Sequence, residues 1–254
     1  MQSEKYIRSN AGNIADYLKA DFDSIKGVVI AVFAGLLLMY AGFQALPEES
    51  TPLLAKVMCL LSLTIATAGV GAYAGRRLTG LLPAIGLLIL SIIGMFIIRS
   101  AGGGFAATGL LMGWGFINGM MLGPLVAFAV SEEGPGIVLQ ALTGTTAVML
   151  ITGVIAMATG INFSFLMPLL LIALIGLIVV GLVRIFVKFS RTVNLVYSGI
   201  GMLVFSGFFL LNFFRISRSE NTWERAVDAT ISLYLSFANF FTMLLQFMLS
   251  SRRR

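Results

Sequence analysis

From residue 27 onward the chain alternates long apolar runs with short polar connections. The runs cover residues 27–45, 53–73, 81–98, 105–130, 136–159, 165–183, 193–216 and 229–249. Each approaches or exceeds the roughly 20 residues that a helix needs to cross a bilayer. In lipid such a run satisfies its own backbone groups only as a helix. The connections carry nearly all the charge and leave no room for a soluble domain. The pattern predicts an all-α, polytopic transmembrane helical bundle of about eight spanning helices over residues 27–250, followed by a basic tail at 251–254. Before it, residues 1–26 lack the apolar core and cleavage site of a signal peptide. Ile7, Ile14, Leu18, Phe22 and Ile25 fall there at helical spacing, with Glu4, Lys5, Asp16, Lys19, Asp21 and Asp23 between them. That spacing reads as an amphipathic helix on the membrane surface, with a frayed polar tail as the alternative.

The fourth and fifth runs hold most of the small and uncharged polar residues. Gly109 and Gly113 are four apart, as are Gly115, Gly119 and Gly123. Residues at that spacing share a helix face, so these glycines predict a groove where another helix backbone approaches closely. Pro124, beside Gly123, removes one backbone donor inside the membrane, and a neighbouring helix or a cavity must accommodate the break. Asn118 lies next to the groove. Asn118 and Asn239 read as groups bonding between helices or lining a pore. Thr143, Thr145 and Thr146 either return their hydroxyls to their own helix or line a cavity.

Composition narrows the class. Hydrophobic residues make up 58% of the 254 and charged ones 11%, against about a quarter charged in a soluble domain. The net charge of +6 would suit nucleic acid, but the basic residues lie between apolar runs rather than on one face, so they read as membrane-orienting charges and no nucleic-acid partner is expected. Twelve basic residues fall on the side of the termini (Lys5, Arg8, Lys19, Lys26, Arg76, Arg77, Arg184, Lys188, Arg191 and Arg252 to Arg254) and five on the other (Lys56, Arg99, Arg215, Arg218 and Arg225). The positive-inside rule then places both termini in the cytoplasm. The acidic connection 131–134 faces the same side with no basic residue of its own. Lys56 and Arg184, near run ends, are expected to snorkel to the interface, and the terminal arginines to anchor at anionic headgroups. There is no histidine, and the one cysteine, Cys59, sits in an apolar run. With no acid in the middle of any run, neither a metal cluster, a cofactor site nor a catalytic acid, base or activated nucleophile is expected.

Four blocks, taken in order, carry a resemblance: GMMLGPLVAF (119–128), QALTGTTAVML (140–150), SGIGMLVFSGFFLLNFFRI (198–216) and ATISLYLSFANFF (229–241). Together they resemble the Bax inhibitor/YccA family of multi-spanning membrane proteins, over roughly residues 53–250. The resemblance implies a seven-helix core, with the first run here an addition. It also implies residence in the bacterial inner membrane or the endoplasmic reticulum, and links to calcium leak and to stress or cell-death control. The YccA-like branch adds modulation of a membrane-bound ATP-dependent protease. Relatives place an aspartate at the position matching Asn212 and another in the motif matching 233–239, here at Ser236. Paired carboxylates share a proton or hold a cation, whereas Asn and Ser do not titrate near neutral pH. The nearest acids, Glu224 and Asp228, fall at the entry of the last run. Two functions follow as expectations: a non-enzymatic regulator of membrane-protein quality control or stress response, acting on a membrane-bound protease or other membrane proteins; or a passive calcium or cation leak without the aspartate pair, lined by Asn212, Ser236, Asn118, Thr143 and Thr146, with Asp228 nearby.

Overall fold

The computed structural model describes residues 33–187 and 189–252. Two compact units divide the chain, Met1–Ala45 and Leu46–Arg254. In the first, the described part is one short apolar helix, α1 (Phe33–Ala45), in which the Gln44 side-chain amide donates to the Tyr40 hydroxyl one turn away at 2.8 Å. The amphipathic segment expected over 1–26 and the start of the first apolar run lie outside the described residues.

The second unit opens with a 3-10 turn at Glu48–Ser50 and continues through α2 (Leu53–Gly75), α3 (Leu81–Ser100), α4 (Phe105–Glu133), α5 (Gly136–Ala158), α6 (Leu166–Phe186), α7 (Arg191–Arg218) and α8 (Trp223–Arg252). All seven are long and apolar enough to cross a membrane. α4 and α8, at 29 and 30 residues, rise about 45 Å at 1.5 Å per residue, so they outreach a hydrocarbon core of about 30 Å. Local chemistry sets the boundaries. Ser190 caps α7 by accepting from the Val193 amide, and Thr222 accepts from the Arg225 amide at the start of α8. Between α4 and α5 the chain reverses at Gly134, whose φ of +78° suits a residue without a side chain, followed by Pro135.

α8 is the central helix and packs against α2, α3, α4, α5 and α7. Half of the apolar window of α2 and of α8 is buried, against 11% for α3 and for the sixth helix. α3 and α6 form the rim, and Leu82 on α3, Ile172 on α6 and Leu203 on α7 stand exposed where lipid tails cover them. The core is aromatic around α8: Phe209 of α7 packs on Phe240 with ring centroids 5.7 Å apart, and Trp114 of α4 meets Tyr234 edge-on at 5.2 Å.

The closest helix pair is α2 and α4, and it is built from glycine on both sides. A side chain at Gly119 would run into the carbonyl of Ala68, and one at Gly71 into the carbonyl of Phe116. A Cβ at Gly115 would lie 2.8 Å from the Thr64 carbonyl oxygen, and one at Gly123 2.6 Å from that of Ala72. Gly109 and Gly113 are not part of this seam, since no atom lies within 4 Å of the place where either Cβ would be. Gly113 and Gly115 are two residues apart, about 200° around the helix, so the two glycine stripes face different ways. α4 runs unbroken through Pro124. The carbonyl left without its donor is that of Met120, four residues earlier, and it lies against Gly75 of α2, where any side chain would strike it. The lack of a side chain at Gly75 is what lets α2 lie against that oxygen.

The helices alternate in direction, which gathers their ends into two layers. In one, half-exposed Arg99 at the end of α3 pairs with Asp228 of α8 at 3.1 Å. In the other, Arg252 at the end of α8 pairs with Glu133 at 3.1 Å and donates to the Gln140 side chain at 2.9 Å. The acidic stretch 131–134, expected as a connection, is the last turn of α4 up to Glu133, and it finds its basic partner in the C-terminal helix, 119 residues on.

Candidate functional site

The conformations of α7 and α8 bring Asn212 and Ser236 together. Asn212 lies near the end of α7 and Ser236 in the fourth turn of α8, so two antiparallel neighbours joined by a short loop carry them at similar depth. Asn212 Nδ2 donates to Ser236 Oγ at 3.0 Å and to the Ser232 carbonyl at 3.2 Å. The Ser236 hydroxyl donates in turn to that carbonyl at 3.0 Å. Both side chains are buried. The arrangement is a closed, neutral hydrogen-bonded triangle that holds α7 to α8 and has no proton to lose near neutral pH.

Beside it, Tyr234 is buried with its hydroxyl unpartnered. Its ring rests on Trp114, whose indole N–H donates to the Ser91 carbonyl at 2.9 Å. Ser91 donates to Asn118 Oδ1 at 3.1 Å, and Asn118 Nδ2 donates to the Trp114 carbonyl at 2.8 Å. Asn118 is thus a tie between α3 and α4, with both ends of its amide engaged.

The remaining polar residues turn inward on their own helices. Thr145 donates to Ala141 at 2.7 Å, Thr146 to Leu142 at 2.9 Å and Asn239 to Leu235 at 2.7 Å. Thr143 and Thr146 are exposed on α5. Asp228 is held by Arg99, and exposed Glu224 sits in the first turn of α8, where a negative charge suits the helix dipole.

A cavity of about 560 Å³ opens between α2, α4, α5 and α8, with Ala72, Val126, Leu142, Phe237 and Phe241 among its walls and Tyr234 in its lining. Neither Asn212, Ser236 nor the threonines of α5 line it. Its one charged lining residue is Arg76, whose guanidinium stacks 3.7 Å from the Tyr73 ring centroid. No group of three or more potential metal ligands occurs among the described residues.

Two features escape a reading by run and spacing. Lys56, which a snorkelling reading sends to the interface, is fully buried. Its ammonium donates to the Glu48 carbonyl at 2.8 Å and to Asn221 Oδ1 at 3.0 Å, and it lies 5.3 Å from the Trp223 ring centroid. Glu48 completes this lock by accepting from the Trp223 amide at 2.6 Å, a carboxylate at the N-terminus of α8. The other feature is the α2 half of the glycine seam, whose Gly71–Gly75 spacing repeats that of α4 and was the signal available for it.

These observations define an integral membrane protein: a seven-helix bundle around a central C-terminal helix, tied by neutral polar contacts within and by ion pairs at its ends. The family profile described as "Inhibitor of apoptosis-promoting Bax1" matches residues 51–254, and the chain belongs to that family. The match covers α2 to α8 and leaves α1 outside. An uncharacterized membrane protein of Vibrio cholerae is 36% identical over 203 residues, covering 78% of this chain and 88% of that one. "Modulator of FtsH protease YccA" of Escherichia coli K12 is 29% identical over 190 residues, 73% of this chain and 84% of its own length. "Golgi anti-apoptotic protein" of vaccinia virus is 34% identical over 145 residues, 57% of this chain and 59% of that protein.

Proposed function

We propose that this protein is a non-enzymatic regulator of membrane-protein quality control in a bacterial inner membrane, acting by contact on a membrane-bound ATP-dependent protease. The observation that carries the reading is the Asn212–Ser236 contact. At the place where paired carboxylates would titrate, this chain has a neutral, closed hydrogen bond that senses no protons near neutral pH and offers a cation no negative charge. The similarity to a relative named a modulator of FtsH protease supplies the partner class. A passive calcium leak is the second reading, favoured by the cavity between α2, α4, α5 and α8. Arg76 as its one charged lining group opposes cation entry.

The test is co-reconstitution with a purified FtsH-type protease in proteoliposomes, following degradation of a membrane substrate. A change in degradation rate that saturates with added protein is expected. An unchanged rate across the titration contradicts the proposal.

A further inference from the structure

A second cavity, of about 310 Å³, lies at the Arg252 end, where the last turn of α6, the first turn of α7, α4 and α8 meet. Arg184, Arg191, Asn194 and Gln246 supply its polar lining, with Phe128 and Leu249 among its apolar walls. The two guanidinium groups are held in place by neutral partners. Arg184 donates to Gln246 Oε1 at 2.8 Å and stacks 4.8 Å from the Tyr197 ring centroid. Arg191 donates through Nε to the Ser250 carbonyl at 2.9 Å and through Nη2 to that of Ser251 at 2.8 Å, which satisfies the C-terminal carbonyls of α8.

No acidic residue lines the cavity, and no ion pair reaches either arginine among the described residues. Arg252, close by, has Glu133 instead. Among the described residues, two fixed positive charges therefore face one cavity without a counter-charge, with N–H groups beyond those bonds, Nε and Nη2 on Arg184 and Nη1 on Arg191. Guanidinium groups so arranged match the oxygens of a phosphate. Asn194, also lining the cavity, has its Oδ1 buried without a donor, and a headgroup hydroxyl would supply one. The cavity sits where spanning helices end, at the depth of lipid headgroups, and its apolar walls suit the glycerol and upper acyl region of a lipid.

We propose that this cavity binds the headgroup of an anionic phospholipid, with the phosphate on Arg184 and Arg191 and a headgroup hydroxyl toward Asn194. A bound lipid braces the end of α8 through Arg191. The inference is independent of the protease reading.

The experiment is a titration of the full-length protein, in detergent and in nanodiscs, with phosphatidylglycerol or phosphatidylcholine, read by native mass spectrometry and by thermal stability. Phosphatidylglycerol is expected to bind in preference. Each basic group near an anionic headgroup contributes about fivefold, so Arg184→Gln should weaken binding about fivefold and the double change with Arg191→Gln roughly thirtyfold. Should the double variant fail to fold, Arg184→Gln alone, which leaves the Arg191 contacts to the end of α8 intact, must still show its loss. Arg252→Gln, which removes a charge from the same end but not from the cavity, should leave binding within twofold. Equal binding of the two lipids, an equal loss in Arg252→Gln, or displacement of phosphatidylglycerol by millimolar inorganic phosphate would each overturn the assignment, the last in favour of a free-phosphate site.

Discussion

The α2–α4 seam and the α7–α8 contact join helices by opposite means. Across the seam little side chain intervenes: Gly115, Gly119 and Gly123 of α4 lie against Thr64, Ala68 and Ala72 of α2, Gly71 and Gly75 lie against Phe116 and Met120 of α4, and backbone meets backbone. Between α7 and α8 the helices are held by large aromatic groups, Phe209 on Phe240, and by the Asn212–Ser236 hydrogen bond. In lipid, apolar surface gains little by leaving one apolar neighbour for another, so helices associate through close packing or hydrogen bonds. The seam uses the first and tolerates no added atom. The polar contact uses the second and depends on two atoms.

The largest effect is expected from breaking the seam. Gly119→Leu forces α2 away from α4 because its first added carbon already meets the Ala68 carbonyl. Overpacking of this kind costs about 1–3 kcal/mol or more, so the monodisperse yield in detergent should collapse. Gly113→Leu, where nothing lies within 4 Å, should retain wild-type yield and Tm. Equal behaviour of the two variants would remove the distinction between the stripes.

Next in size is Lys56→Met. It removes the charged donor of the Glu48 carbonyl and of Asn221 Oδ1, a loss of about 1.5–3 kcal/mol for hydrogen bonds to a charged group. A lowered Tm in differential scanning fluorimetry is expected, and a Tm equal to wild type would mean that water replaces the ammonium.

Asn212→Leu should cost less, about 1 kcal/mol, since hydrogen bonds between membrane helices average roughly 0.6 kcal/mol each and Asn212 makes two. The check is a double-mutant cycle with Ser236→Ala, where the coupling should be positive but under about 1 kcal/mol. Smallest of all is Glu133→Gln, which breaks the partly exposed pair with Arg252 and should change stability by less than about 1 kcal/mol.

How much of this was legible in the sequence varies by the kind of contact. Run lengths and short connections suffice for the helices, because a bilayer leaves the backbone no other choice. Spacing of four marks Gly115, Gly119 and Gly123 as a face, yet the same spacing at Gly109 and Gly113 marks a face without a neighbour. Periodicity says which residues share a side and not what stands opposite. The Asn212–Ser236 contact was reachable from depth, since adjacent antiparallel helices put matched heights together. The Lys56 lock was not, because its partner Asn221 lies 165 residues away in a loop whose path no local pattern specifies. The Arg252–Glu133 pair was hidden for the same reason.

The claim that the polar pair is a neutral tie rather than a proton-sensing gate meets its most direct test in calcium flux from liposomes between about pH 6 and 8. Wild-type protein should show no pH dependence in that range, since neither amide nor hydroxyl titrates there. The double change Asn212→Asp with Ser236→Asp should introduce one, because one carboxyl of a close pair is pushed up toward neutral pH. Steep pH-gated calcium flux through the wild type would contradict the account.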